Sequence, residues 1–440
     1  MKNLPFRTAA GGLRMTRRTA VKLSLGAAAT HLAAPALAQV GSDKILIGVP
    51  ASLSTPYGVA DDTDHVNGTM LAVEEINAAG GVLGRELEIF VADVDKLSPE
   101  SARQTIAACI DRKVHAISNS FIFAPIPAMD ESAKYRCPYV QGNTQRAATE
   151  AYRENPEKYA HVFQTDPSEV NYGWTYPLWL KKMEETGVWK PKNRKIHIVA
   201  EQVAYCQTIL KAAREAIPNY DFELAEVTDI QFPVNDWSPV IRRLKEVDAA
   251  AIMIDHWVAS EYSAFCKQFA ANPVPDSLVY LQYGPSQPEF LELAGRAAEG
   301  FCWSTVLGIY GDEKGQAYRQ KYLARYPEYA GNMGLVYTGN GYDIVQYLKL
   351  AWEATGNPED FAANCAWIRA NPYRGVCGMM NMNNNLQEGL HYPNNGFDNQ
   401  TDVLEEGMAQ LFVQVQDGEH KIIWPNEVAE SSLRPAPWWG

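Results

Sequence analysis

The chain of 440 residues carries 39 Lys and Arg against 52 Asp and Glu, a formal charge of −13, with 46% hydrophobic and 21% charged residues. That balance suits a chain with a buried core and excludes a disordered tail, a collagen-like fibre and a coiled coil. The acidity excludes nucleic-acid phosphates and anionic lipid surfaces as partners, and the length allows two or three domains.

Residues 1–38 hold Lys2, Arg7, Arg14, Arg17, Arg18 and Lys22 and no acid; without them 33 bases face 52 acids, a charge of −19. Arg17-Arg18 precede an apolar run from Leu23 to Leu37 that ends in Ala36-Leu37-Ala38. A basic start, a short apolar stretch and a small-x-small ending form an export signal, and the paired arginines resemble the twin-arginine type. Cleavage after Ala38 exposes Gln39, not Cys, so no lipid anchor is expected there. Beyond it no apolar run approaches the ~20 residues of a membrane helix, so a periplasmic chain without direct membrane insertion is expected. The seven cysteines show no C-x-x-C or zinc-like spacing. In an oxidising compartment Cys109–Cys137 and Cys365–Cys377 are the candidate disulfides, while Cys206, Cys266 and Cys302 read as small buried hydrophobes.

Lys44–Val49 is a nearly continuous apolar run, as a buried parallel strand requires. Val66, Met70, Val73 and Ile76 then recur at helical spacing, and Ala79-Gly80-Gly81 stops that helix. A strand at Leu87–Val91, a helix at Pro99–Arg112, a strand at Val114–Ser118, a helix at 125–136 and a strand at Tyr139-Val140 follow. The rhythm restarts with strands at Ile196–Ala200, Phe222–Val227, Ala249–Ile254 and Leu278–Gln282, and helices near 204–217, 237–246 and 259–271. Alternation at this pace predicts an α/β fold of two doubly wound parallel-sheet lobes. Gly378–Asn399 reads as loop, and Gln410–Gln416, Asp417-Gly418 and His420–Trp424 read as a hairpin.

The run Glu75-Ile76-Asn77-Ala78-Ala79-Gly80-Gly81-Val82-Leu83-Gly84-Arg85, continuing to Asp93, resembles the branched-chain amino-acid-binding family of periplasmic receptors for ABC importers. Ala297-Ala298-Glu299-Gly300-Phe301, Gly341-Tyr342-Asp343 opening a helix, and Val413–Gly418 extend the similarity over most of residues 43–425. The resemblance implies a type I periplasmic binding fold with a three-crossover hinge. It places 43–165 with 305–380 in one lobe and 166–304 with 381–440 in the other. The crossings would fall near Gln164–Glu169, near Ser304–Gly308 and within Gly378–Asn399. It also implies a monomer that binds a small-molecule solute and docks on a membrane permease, with no cofactor.

Carried over position by position, Tyr57 in the loop after the first strand resembles a pocket-lining aromatic, although its Ser and Thr neighbours also fit plain turn chemistry. The loop Asn119-Ser120-Phe121-Ile122-Phe123 stands where amino-acid-binding members place serines that hold a carboxylate; Ile122, Phe123 and Ala124 occupy those serine positions here. Asn143 and Thr144 match a Gly-x-Thr contact, and Tyr205 matches a tyrosine that closes over the solute. Asp255-His256-Trp257 follow an apolar strand, so Asp255 suits an ammonium or a helix cap, and Trp257 suits stacking. Tyr283 stands where amino-acid binders carry a glutamate for the α-ammonium. The pocket is therefore expected to be aromatic (Tyr57, Phe121, Phe123, Tyr205, Trp257, Tyr283), for a small amino-acid-like, amide, aromatic or amine solute, unless half of these rings are core.

The eight histidines are scattered, and no G-x-S-x-G elbow, phosphate-cradling loop or H-E-x-x-H occurs. Asp61-Asp62-Thr63-Asp64 lacks the glycine and distal glutamate of a calcium loop and reads as helix N-terminal acids. Glu154–Lys158 reads as a solvated face. The chain is therefore read as a receptor and not an enzyme, with a receptor for a signalling kinase or a secreted hydrolase as alternatives.

Overall fold

The computed structural model describes residues 44–54 and 58–440; the expected export signal and Tyr57 lie outside the described residues. The first half alternates strand and helix: β1 (Ile45–Ala51), α1 (Val59–Ala78), β2 (Leu87–Asp93), α2 (Pro99–Asp111), β3 (Ala116–Asn119), α3 (Pro125–Ser132), β4 (Tyr139–Gln141), α4 (Arg146–Glu154) and β5 (Val162–Gln164). After α5 (Val170–Glu185) come β6 (Lys195–Glu201), α6 (Ala204–Ala216), β7 (Glu223–Ile230), α7 (Ser238–Val247), β8 (Ala251–Asp255), α8 (Ala259–Ala271), β9 (Leu278–Gln282), α9 (Glu289–Ala294) and β10 (Cys302–Thr305). The chain then returns through α10 (Glu313–Arg325), α11 (Tyr337–Thr355) and α12 (Phe361–Ala370). Short ladders β11 (Tyr373–Arg374) with β12 (Met379–Met380) and β13 (His391–Tyr392) with β14 (Met408–Ala409) lead to β15 (Leu411–Gln416) and β16 (Glu419–Trp424).

Among the described residues β1 to β5 form one parallel sheet in the order 2-1-3-4-5. The other sheet runs 16-15-10-9-8-6-7, parallel from β6 to β10, with β15 and β16 antiparallel at its edge. The fold is therefore the expected pair of helix-flanked sheets, the second extended by a hairpin. Asp417 and Gly418, at φ 56° and 77°, turn that hairpin, and two consecutive positive φ angles match the twist of the paired strands.

α11 lies along α1, and the approach is close because both helices present glycine at the crossing. A Cβ on Gly68 would stand 1.9 Å from the Thr338 carbonyl oxygen, and one on Gly341 2.2 Å from that of His65. Gly341 thus lies inside the helix, which begins at Tyr337, and does not open it as expected. The crossing sets the first turns of α11 against the middle of α1.

The expected bridges Cys109–Cys137 and Cys365–Cys377 are not formed, since all seven cysteines are buried free thiols. Each serves as a small core residue instead. The Cys109 side chain fills the space a Cβ on Gly48 would need, and Cys377 Sγ donates to the Val336 carbonyl at 3.8 Å. The Glu154–Lys158 run is exposed, as expected of a solvated face. No helix among the described residues is long and apolar enough to cross a membrane.

Candidate functional site

Strand ends of both sheets, with the first turns of α1, α5, α6 and α11, surround a cavity of about 40 Å³, room for roughly three water molecules. Crevices at the carboxyl ends of doubly wound strands are the usual ligand sites of such sheets. The walls are Asp61, Phe121, Phe123, Asn143, Thr144, Gln145, Tyr172, Tyr205, Trp257, Tyr283 and Tyr337.

Two acids open α1, where the unsatisfied N–H groups of a helix start favour negative charge, and both are buried. Asp61 accepts from the Tyr283 hydroxyl at 2.7 Å and from Gln287 Nε2 at 3.0 Å, so the loop after β9 grips the start of α1. Burial raises the Asp61 carboxyl to about 6; the Tyr283 hydrogen bond, the Lys96 charge and the Gln287 hydrogen bond hold it from rising further. Asp62 turns the other way. It accepts from the Ser52 amide at 2.6 Å and from the Ser120 hydroxyl, and it pairs with Lys96 Nζ at 2.7 Å. Lys96 is 1% exposed, donates to Ser120 Oγ at 3.0 Å, and sits 3.2 Å from the centre of the Phe121 ring.

The rings form one continuous surface. Phe121 meets Phe123 at 5.3 Å and Tyr337 at 5.6 Å between centroids, and Phe123 meets Trp257 from the second sheet at 5.3 Å. On the far side Tyr172 stands 6.4 Å from Tyr205, whose hydroxyl accepts from Gln282 Nε2 at 2.7 Å. Tyr283 adopts φ 54°, ψ −53°, a conformation that costs a non-glycine residue on the order of 1–3 kcal/mol. That backbone sends its hydroxyl to Asp61. Two fully buried polar atoms of the walls have no hydrogen-bond partner among the described residues, Asn143 Oδ1 and Trp257 Nε1.

Of the expected contacts, Phe121, Phe123, Asn143, Thr144, Tyr205, Trp257 and Tyr283 line the cavity. Asn119, Ser120 and Asp255 do not. Asn119 ends β3 and donates to the Tyr139 hydroxyl at 3.3 Å, inside the first sheet. Ser120 is engaged by Asp62 and Lys96. Asp255 ends β8 fully buried, where desolvation raises its pKa, so it is an interior carboxyl and not a rim contact. Asp61, Gln145, Tyr172 and Tyr337 are additions. The acids of the DDTD run carried a signal, but their burial was not readable from charge pattern; Tyr172 and Tyr337 come from helices that no clear amphipathic stripe announces.

The chain matches the model of a family described as periplasmic binding protein over residues 44–391. It belongs to the periplasmic binding protein family. Among solved structures, one from Silicibacter pomeroyi assigned to a branched-chain amino acid ABC transporter shares 29% identity with a TM-score of 0.81, covering 90% of this chain and all of that one. A solute-binding protein from R. palustris, solved in complex with benzoate, shares the fold at 14% identity and a TM-score of 0.65, covering 90% and 97%. Among curated relatives, the leucine-, isoleucine-, valine-, threonine- and alanine-binding protein of Pseudomonas aeruginosa is 20% identical over 369 residues, 81% of this chain and 90% of that one. The family therefore accounts for the paired, helix-flanked sheets.

Proposed function

We propose that this periplasmic binding protein is the solute-capturing subunit of an ABC importer, exported by its N-terminal signal and acting as a monomer. Residues 43–165 with 305–380 and 166–304 with 381–440 form its two lobes. A solute enters while the lobes are apart, the lobes rotate together over it, and the closed shape is read by a membrane permease. The observation that carries this reading is the grip across the cavity, in which Tyr283 and Gln287 from after β9 hold Asp61 at the start of α1. Those bonds span the two sheets' ends and can form only when the walls meet. The relatives favour import over the signalling and hydrolase alternatives.

The ligand-contact residues on this reading are Phe121, Phe123, Asn143, Thr144, Tyr205, Trp257 and Tyr283, joined by Asp61, Gln145, Tyr172 and Tyr337. Protein purified without denaturation should release one small molecule per chain on unfolding, unchanged in mass from the free metabolite. Trp257→Ala and Tyr205→Ala proteins should fold but release little of it. Equal release from both variants would place the site elsewhere, and a chemically altered product would make the chain an enzyme.

A further inference from the structure

The wall chemistry is unusual for a pocket that must hold a carboxylate. Among the described residues lining the cavity there is one carboxylate, Asp61, and no Lys, Arg or His. The nearby ammonium, Lys96, lies behind the Phe121 ring and is already paired with Asp62 at 2.7 Å. One acid of the Asp61–Asp62 pair is therefore neutralised and the other has no ion-pair partner among the described residues. Burial raises the pKa of the third acid of the run, Asp64, which does not line the cavity.

Buried charges are paired in stable interiors, and none of the described residues supplies that partner to Asp61, which leaves the place open to a bound cation. Asp61 accepts two hydrogen bonds, while an ionised carboxylate offers about four acceptor sites, so capacity for two more donors remains. Asn143, a wall residue only 1% exposed, adds an acceptor in Oδ1 that has no partner among the described residues. The rings of Phe121, Phe123, Trp257 and Tyr337 offer faces of negative potential to a cation, and planar cations stack on such faces. An anion would instead meet Asp61 as a like charge at short range, where the interior weakens the screening of their repulsion.

We infer that the cleft binds a small organic cation bearing N–H donors, of the amidinium, guanidinium or primary ammonium kind, with Asp61 as its counter-ion and the aromatic walls as its cage. This rests on the receptor reading and names its ligand class. The space of about 40 Å³ suits a head group of a few heavy atoms.

The test uses isosteric pairs that differ in charge: guanidinium against urea and acetamidinium against acetamide, with leucine as a zwitterion. Each is titrated calorimetrically into the natively folded protein at pH 7.5 and matched ionic strength. The cation of each pair should bind saturably and at least about tenfold tighter than its neutral isostere. Asp61→Asn should weaken the cation by roughly a hundredfold and leave the neutral partner little changed. Asp255→Asn, an equally conservative change at a buried acid outside the cavity, should keep the preference, and thermal melts report that both variants fold. Neutral isosteres or leucine binding as tightly as the cations, cations binding Asp61→Asn as well as the parent, or no saturable cation binding, would each overturn the inference. The receptor reading would survive any of these so long as a neutral or anionic molecule is released from the purified protein.

Discussion

Two clusters of buried acids, one in the cleft and one where the chain crosses between the sheets, are built from similar parts and end in different charge states. At the crossover Arg146 reaches Glu388 at 3.4 Å, Asp398 at 2.8 Å and Glu150 at 2.7 Å, and its backbone N–H donates to Glu169 at 2.6 Å. The surplus acids there are neutralised by burial: Glu169 is pushed up to about 8 and Asp166 well above the carboxylate range. In the cleft the surplus acid, Asp61, stays near 6, because Tyr283 and Gln287 donate to it from the other sheet. Burial raises the acids in both clusters, but the Tyr283 bond, the Lys96 charge and the Gln287 bond leave Asp61 with a smaller rise than Glu169, which accepts the Arg146 N–H. A charged acid facing an aromatic cavity is a recognition element, whereas neutral acids at a crossover are packing.

The sharpest way to break this contrast is Lys96→Met, which leaves Asp62 buried without its cation. Unfolding free energy in denaturant should fall by about 3–5 kcal/mol. A loss below about 1 kcal/mol would mean that Asp62 needs no counter-ion and that the charge count in the cleft is wrong. Arg146→Gln should cost less, about 1–3 kcal/mol, since Glu388 keeps the Ser168 and Asn399 hydrogen bonds and Asp398 faces water. A cost as large as that of Lys96→Met would erase the distinction between the two clusters.

The smallest effect carries the opposite sign. Asp61 has a folded-state pKa above its value of 3.8 in a free chain, so its contribution favours folding below about pH 4 and is lost as pH rises through about 6. Asp61→Asn should therefore raise the stability of the unliganded protein above pH 6, on the order of 1–2 kcal/mol, with the gain fading towards pH 4. Melting curves taken across that window would show it, and a variant less stable than the parent at pH 7.5 would argue that Asp61 is paired in the resting protein.

Much of the architecture was legible in local pattern. The strand at Leu278–Gln282 and the helix at Ala259–Ala271 lie where their residues placed them, and Asp417-Gly418 turns its hairpin. The helix α5 was not, because ten of its residues from Val170 to Leu180 are buried on every side and no polar stripe marks it. The three-residue strand β5 is too short for a period to register. In the site, the aromatic loop after β3 and the rings Trp257 and Tyr283 were readable as strand-end residues. Lys96 was not, since a lysine in a loop is ordinarily solvated and only its contacts with Asp62 and Phe121 show otherwise.

Hydrophobic periodicity and turn residues act over a few positions, so the order of strands and helices and the two-sheet plan were determined by the amino-acid order alone. Which carboxylates remain charged was decided only in three dimensions. Tyr283 and Asp61 are 222 residues apart, and the charge on one depends on the donor of the other reaching it after water has left. Desolvation has no counterpart in an extended chain, which is why the ligand chemistry of this cleft is a property of the closed tertiary structure.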